Sequence, residues 1–577
     1  MVNAQKGFMH DPGKEIGYVV SGGLKENLTI RLTVPGFQVQ EGSFIVIKSG
    51  IWQFYGIATD LQLGAVDPRF SDQQITRDIP QGLAEILRQQ TLFTNLVVLP
   101  ALMYEVGPDP GSPAYRLWLE NTDNQQKKPA PIPAKTIPPH HASAFFASAG
   151  DIAEIFGSAS ERKNFIIGYT REQNHPVCIN LQKFIQRSSG IFGATGTGKS
   201  FLTRIILAGL IEYDQASVLV YDMHNEYGLD DTASDTGSKV TGLRSAFGRA
   251  KVQIAGLGSD ASIRGSSPDF NVVLSYADIM PEDIEMLARE LNLTETTAAT
   301  LDALEHDFGK GRWFGAFMAM HPEKTTTDED GSKAPAPDSV AFWAQKANIH
   351  PLAAKALHSK LQRLYKKPYI VEKPPVDSIQ AITEGLKKGK HVVLSFGKYE
   401  SDLDYLLISN LLTRRIREEW EKMTNAFRNG QQTEPRPLVI TIEEAHKLLN
   451  RNMARQTTFS TIAREMRKYY VTLLVIDQRP SQIYDEVMSQ LGTRICGWLG
   501  DDDDVHAVLS GLSGREALRG MLARLQPKEE VLLLGWGVPM PILVRSRRYD
   551  QDFFKTLRSG GKASSNPQDM VNKLYPD

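Results

Sequence analysis

Hydrophobic residues have two textures along this chain. Over residues 15–120 they fall in short runs rich in Val, Ile, Tyr and Thr: "EIGYVVSGG", "NLTIRLTV", "SFIVIKSG", "WQFYGIATDLQL", "TNLVVLPALMYEV" and "AYRLWLE". Gly, Pro, Asn or Asp separates most of them, so the pattern predicts strand after strand and a small barrel or sandwich. Among them "RDIPQGLAEILRQQ" fits an inserted helix. The Pro-rich polar stretch 121–141 then predicts an extended linker.

Beyond about residue 160 the texture changes. "SSGIFGA", "SVLVYD", "VQIAGL", "HVVLSFG", "PLVITIEEA", "VTLLVID", "TRICGWLG" and "EEVLLLGW" are short apolar runs that alternate with helical patterns. Such runs predict a parallel sheet covered on both faces. Between about 272 and 388 the apolar residues are spaced three and four apart, as in "PLAAKALHSKLQRLYKK". The expected organisation is a β-barrel within 1–150, an α/β core over 160–270 and 389–550, a helical insertion over 271–388 and a tail over 551–577. Within the insertion, "EKTTTDEDGSKAPAPDS" (323–339) reads as a mobile loop, and the end from 559 as loosely held.

Composition narrows the picture only a little. The 577 residues carry 65 basic and 67 acidic side chains, a net charge of -2. A nucleic-acid partner therefore needs a local basic surface. The two cysteines, Cys178 and Cys496, sit among apolar residues outside any metal-like cluster. They read as buried free thiols in a reducing compartment. The start, "MVNAQKGFMHDPGKE", has no apolar signal core, and no apolar run approaches the ~18 residues a membrane span needs. A soluble cytoplasmic protein is expected.

The chemistry begins at Gly193-x4-Gly198-Lys199-Ser200, between a candidate strand, "GIFGA", and a candidate helix, "KSFLTRIILAGLIEY". Strand–loop–helix is the context a phosphate-binding loop requires. Glycines let the backbone curl so that its N–H groups face an anion at a helix N-terminus. The cradle comprises Gly193, Ala194, Thr195, Gly196, Thr197, Gly198, Lys199, Ser200 and Phe201. Lys199 would reach the terminal phosphates as a point charge, and Ser200 would offer its hydroxyl to Mg2+. ATP and Mg2+ are the expected ligands.

In "PLVITIEEAHKLL", Leu438, Val439, Ile440 and Ile442 form a buried-strand pattern that Glu443 and Glu444 follow. The carboxyl end of such a strand faces the ligand crevice of an α/β sheet. Glu443 suits a water-mediated contact to Mg2+, and Glu444 suits polarising a water in line with the γ-phosphate.

The N-terminal strands, "GIFGATGTGKS", "DMHNEY", "ITIEEAHKLL", "AREMRKY" and "DQRPSQI" occur in this order. Together they resemble the HerA family of hexameric DNA translocases, relatives of the FtsK DNA pumps. The resemblance covers nearly the whole chain and is weakest over 235–390. It implies an α/β fold: a RecA-like P-loop ATPase core with a helical insertion, preceded by a small all-β barrel. Many P-loop proteins place Asp where Glu443 stands; a Glu, one methylene longer, still reaches a metal through water.

The resemblance also assigns roles. Glu226 in "DMHNEY" would help place the attacking water or metal, and Gln478 would sense the γ-phosphate and couple hydrolysis to movement. Arg464 and Arg467 lie three apart, so they share a helix face. One of them, left open, would enter a neighbouring subunit's site and neutralise the charge of phosphoryl transfer. Arg545, Arg547 and Arg548 are open to a neighbour's nucleotide, DNA or acidic surface. Asp501–Asp504 read as a helix cap. Lys239 and Arg244 are candidates for a DNA-facing loop.

The implied function is an ATP-hydrolysing homo-hexameric translocase or helicase on double-stranded DNA. A partner nuclease or other effector would dock on the barrel, in DNA end processing or anti-phage defence. DNA contacts would go mainly to phosphates. The rival reading is an ATP-binding hexameric scaffold that assembles and activates an effector enzyme, with translocation secondary.

Overall fold

A computed structural model describes residues 15–558, apart from 25, 67–90, 109–110, 122–129, 172, 233–236, 260, 328–332, 454–456 and 513. The inserted helix expected at 77–90 and the tail from 559 lie outside the described residues. The chain divides into two compact units, one of Met1–Phe184, Ile191–Ile205 and Gly492–Asp577, the other of Ile185–Gly190 and Ile206–Leu491.

The first unit opens with a closed antiparallel barrel. Its wall runs Leu28–Leu32, Glu15–Ser21, Ser143–Phe146, Phe44–Ser49, Trp52–Ala65 and Leu92–Glu105, and the last strand pairs back onto the first. Period-two alternation fills it: Leu28, Ile30 and Leu32 point inward and meet Leu96, Val98, Ile45 and Phe54. Closure removes the sheet edges that an open six-strand sheet would expose. The strand that completes the wall, Ser143–Phe146, comes from beyond the Pro-rich stretch. "AYRLWLE" is not a wall strand but part of the helix Pro113–Asn121. Pro113 at the first helical position favours that start, and Tyr115 stacks on Trp118 one turn away, with ring centroids 5.8 Å apart.

The remainder of the first unit holds an antiparallel run: Thr493–Cys496, Glu530–Gly535, Ile542–Ser546, Asn164–Tyr169 and Pro176–Asn180. The runs "TRICGWLG" and "EEVLLLGW", expected in a parallel sheet, pair antiparallel instead. Cys178 and Cys496 are buried and free, as expected.

The second unit carries the parallel strands, in the order Phe270–Val272, Val252–Leu257, His391–Ser395, Ser217–Asp222, Leu438–Ile442 and Val471–Asp477. The last four are buried along their whole length, which explains their continuous apolar runs. Tyr221 stands opposite Ile442, and Ile442 opposite Val475, so the carboxyl ends of three strands reach one edge together. Among the described residues, six α-helices lie within 271–388, with short strands between them. The stretch 323–339 departs from a plain loop: Thr325–Thr327 pairs antiparallel with Lys333–Pro335. Threonine runs suit such a pairing because β-branched side chains fit the pleat.

Candidate active site

The phosphate loop, in the first unit, leads from the strand Ser189–Phe192 into the helix Lys199–Glu212. Gly196 and Gly198 have φ of +77° and +92°, values that strain any residue with a Cβ. At Gly193 a Cβ would come within 2.6 Å of Thr197 Oγ1. That hydroxyl is engaged, donating to Ala194 O at 2.7 Å. Lys199 Nζ donates to the same carbonyl at 2.9 Å, which lays the ammonium across the mouth of the loop. Two backbone bonds brace the loop from the C-terminal segment: Ala194 N to Trp498 O at 2.9 Å and Lys528 N to Thr197 O at 3.2 Å. Thr195 and Gly196 are exposed at the apex, while Ser200 and Phe201 are half-buried in the first turn of the helix. The helix start, with its positive dipole end, is a ready anion site.

In the second unit the parallel edge gathers the acids. Asp222, 1% exposed, folds the following segment around itself: Oδ1 accepts from Glu226 N at 2.7 Å, and Oδ2 from Tyr227 N at 2.9 Å and Gly228 N at 3.3 Å. That turn delivers the Tyr227 hydroxyl to Glu443 Oε1 at 2.5 Å. Tyr405 OH donates to the Glu443 carbonyl at 2.8 Å. Glu443 Oε2 is buried with no hydrogen-bond partner among the described residues. Burial raises the Glu443 pKa well above the usual carboxylate range, and the charges of Asp222, Glu226 and Glu444 add to the rise. A divalent cation would favour the charged form again, so an anchored carboxylate with one orphan oxygen fits the role of a metal-facing acceptor.

Glu444 adopts φ of +45°, uncommon for a residue with a side chain and the kind of local strain that gathers at functional sites. The strained turn sets its carboxylate toward the neighbouring strand end, where Gln478 Nε2 donates to Oε1 at 2.8 Å. The structure thus joins two residues assigned separate tasks, 34 positions apart in sequence. Glu226 is half-buried near Asp222 and Glu443.

The arginines do not share one α-helix. Arg464 lies in the last turn of Thr458–Glu465, and Arg467 in the 3-10 turn Met466–Tyr469 that tightens its end. Both are exposed, and Arg464 stands 3.6 Å from Glu486. Arg547 is buried against the Phe553 ring, 4.5 Å from its centroid, and donates to Ile166 O: a packing role. Lys239 pairs with Asp230 and Arg244 with Asp269. Asp501 caps the helix Asp502–Leu509, accepting from Asp503 N and Asp504 N, as predicted. No acidic, His or Cys cluster with metal-site geometry occurs among the described residues.

Sequence reasoning did not single out Tyr227, Tyr405, His446 or Asp477. Three of them lie inside quoted motifs, within two positions of assigned residues. Tyr405 has no local signal; it arrives from the long helix Asp402–Arg428.

A glycine-cradled helix start and parallel strands that end in buried carboxylates are the parts of a P-loop ATPase. Within that class, residues 165–416 match the family described as "Helicase HerA, central domain". The chain is 22% identical to the DNA double-strand break repair helicase HerA of Saccharolobus solfataricus, over 97% of this chain and 95% of that one. It is also 22% identical to the Pyrococcus furiosus protein of the same name, over 68% and 69% of the two chains. Among solved structures, the bacterial conjugative coupling protein TrwBdeltaN70 aligns with a TM-score of 0.43 and 13% identity, covering 70% of this chain and 93% of that one.

Proposed function

We propose that this chain is an ATP-driven translocase or helicase on double-stranded DNA, working as a ring of six copies in the cytoplasm. The observation that carries the reading is the hydrogen bond from Gln478 to Glu444, at the carboxyl edge of a parallel sheet, in a chain that also carries a complete phosphate loop. It ties a group able to activate water to a group able to read the γ-phosphate. The HerA relatives, named as DNA double-strand break repair helicases, support the DNA substrate.

The loop Gly193–Ser200 holds the phosphates through backbone N–H groups, and Lys199 offsets charge on the γ-phosphate. Glu444 accepts a proton from water as its oxygen bonds to the γ-phosphorus; the bond to the β–γ bridging oxygen breaks, releasing ADP and phosphate. Ser200 and Glu443 would hold Mg2+, which spreads the charge of the phosphate oxygens when bound. Glu226 helps place the water. Arg464 or Arg467, both exposed, enters a neighbouring copy's site. Gln478 loses its γ-phosphate partner on hydrolysis and passes the change on. A nuclease or other effector docks on the barrel, in end processing or phage defence.

The test is ATP turnover with and without duplex DNA at rising salt, alongside the mass in solution. DNA stimulation that fades with salt, from a particle of six copies, is expected. Stimulation by a barrel-bound enzyme but not by DNA would replace this reading with the scaffold.

A further inference from the structure

His446 has no part in the mechanism above, yet it stands beside the residue that matters most. Its ring Nδ1 lies 3.6 Å from Glu444 Oε2, while Gln478 holds Oε1. The ring itself is clamped. Nδ1 lies 3.0 Å from Asp477 Oδ2 and 3.2 Å from Oδ1, and the His446 backbone N–H donates to Asp477 Oδ2 at 2.6 Å. Asp477, 1% exposed, also accepts from Arg479 N at 2.7 Å. One buried carboxylate at the end of Val471–Asp477 therefore fixes the imidazole and the turn that carries Gln478.

We propose that His446 is a positioning residue for Glu444: the clamped imidazole, a charge neighbour 3.6 Å from Oε2, and the Gln478 amide, bonded to Oε1, together aim the group at the attacking water. The proposal rests on the hydrolytic reading and deepens it. Two features favour it over plain packing. The Glu444 backbone is strained, so the orientation of its side chain needs support from outside its own turn. The imidazole, with about a quarter of its side chain exposed, is also open enough to exchange protons.

The charged groups facing the ring are Asp477 from the adjacent strand, Glu444 from its own turn and Lys447 on the helix His446–Leu449. Lys447 is paired with Asp402 at 2.8 Å. Asp477 is the largest influence and outweighs burial, so the imidazole keeps its proton to higher pH than an ordinary histidine. Losing that proton loosens the hold on Glu444, and turnover should fall on the alkaline side.

The experiment measures kcat and KM for ATP from pH 5.5 to 9.5 in the full chain with duplex DNA, for wild type, His446→Ala, His446→Asn and Glu444→Gln. Nucleotide uptake is measured in parallel. His446→Ala should lower kcat by roughly tenfold to a hundredfold, the scale for a misaimed catalytic group, with KM within about twofold. His446→Asn keeps a donor toward Asp477 and should recover part of the rate while losing the alkaline limb. Should His446→Ala not fold, the Asn variant's pH profile decides. If wild type turns over, Glu444→Gln does not, and the His446 variants keep both kcat and the pH profile of wild type, the positioning role is wrong and the hydrolytic reading stands. If wild type neither binds nor cleaves ATP, both fail.

Discussion

Tyr227 donates its hydroxyl to Glu443 Oε1 at 2.5 Å, joining residues 216 positions apart. Both side chains are buried, and the bond fixes which oxygen of Glu443 stays available. Tyr227→Phe should therefore lower stability by about 1–3 kcal/mol, the range for stranding a buried polar partner. It should also raise the Mg2+ concentration needed for half-maximal turnover. Thermal unfolding and a Mg2+ titration of ATPase rate check it; an unchanged melting point would show that Glu443 is anchored some other way.

Glu444→Gln should leave ATP binding intact and cut turnover by roughly 10²–10⁴-fold, the scale of a lost general base. The amide occupies the same volume and keeps an oxygen for the Gln478 donor, so the strained turn should hold. Calorimetry with ATP beside steady-state hydrolysis separates the two effects. Turnover near wild type would remove Glu444 from the chemistry.

Two glycines of the phosphate loop should differ on substitution. Gly193→Ala drives a methyl into Thr197 Oγ1, which is already bonded to Ala194 O. Gly196→Ala meets nothing within 4 Å and pays only for φ of +77°. We expect Gly193→Ala to weaken ATP binding at least about tenfold more than Gly196→Ala, equivalent to ~1.4 kcal/mol. Equal affinities for the two variants would contradict the loop geometry.

The Asp477–His446 contact predicts a pH-dependent share of stability. The His446 pKa is raised in the folded protein above that of an ordinary histidine, mainly by the Asp477 hydrogen bond. Its stabilisation is full below the unfolded value and is lost as pH rises through the folded one. His446→Asn should thus lower the melting temperature more at pH 5.5 than at pH 9.5. A melting difference that is constant across that range would mean the histidine's charge contributes nothing.

Much of the site was legible because its parts are local. A phosphate loop is one contiguous curl, and Glu443, Glu444 and Gln478 each follow directly on a buried strand, so apolar runs followed by polar residues mark them. The helix cap at Asp501 was legible for the same reason. Arg547 was not: its neighbours in sequence suggest an exposed basic cluster, while the ring of Phe553 and the carbonyl of Ile166 draw it inside. Nor was "AYRLWLE", whose alternation suits a strand as well as its spacing suits a helix.

By itself, the sequence determined the alternation of strands and helices, the phosphate loop and the acids at strand ends, since each depends on residues within a few positions. Only the tertiary structure decided that Ser143–Phe146 closes the barrel, that Tyr227 binds Glu443, and that His446 and Gln478 converge on Glu444. Those pairings span tens to hundreds of residues. They are set by strand register and by burial, which forces each polar group to find a partner wherever the fold brings one.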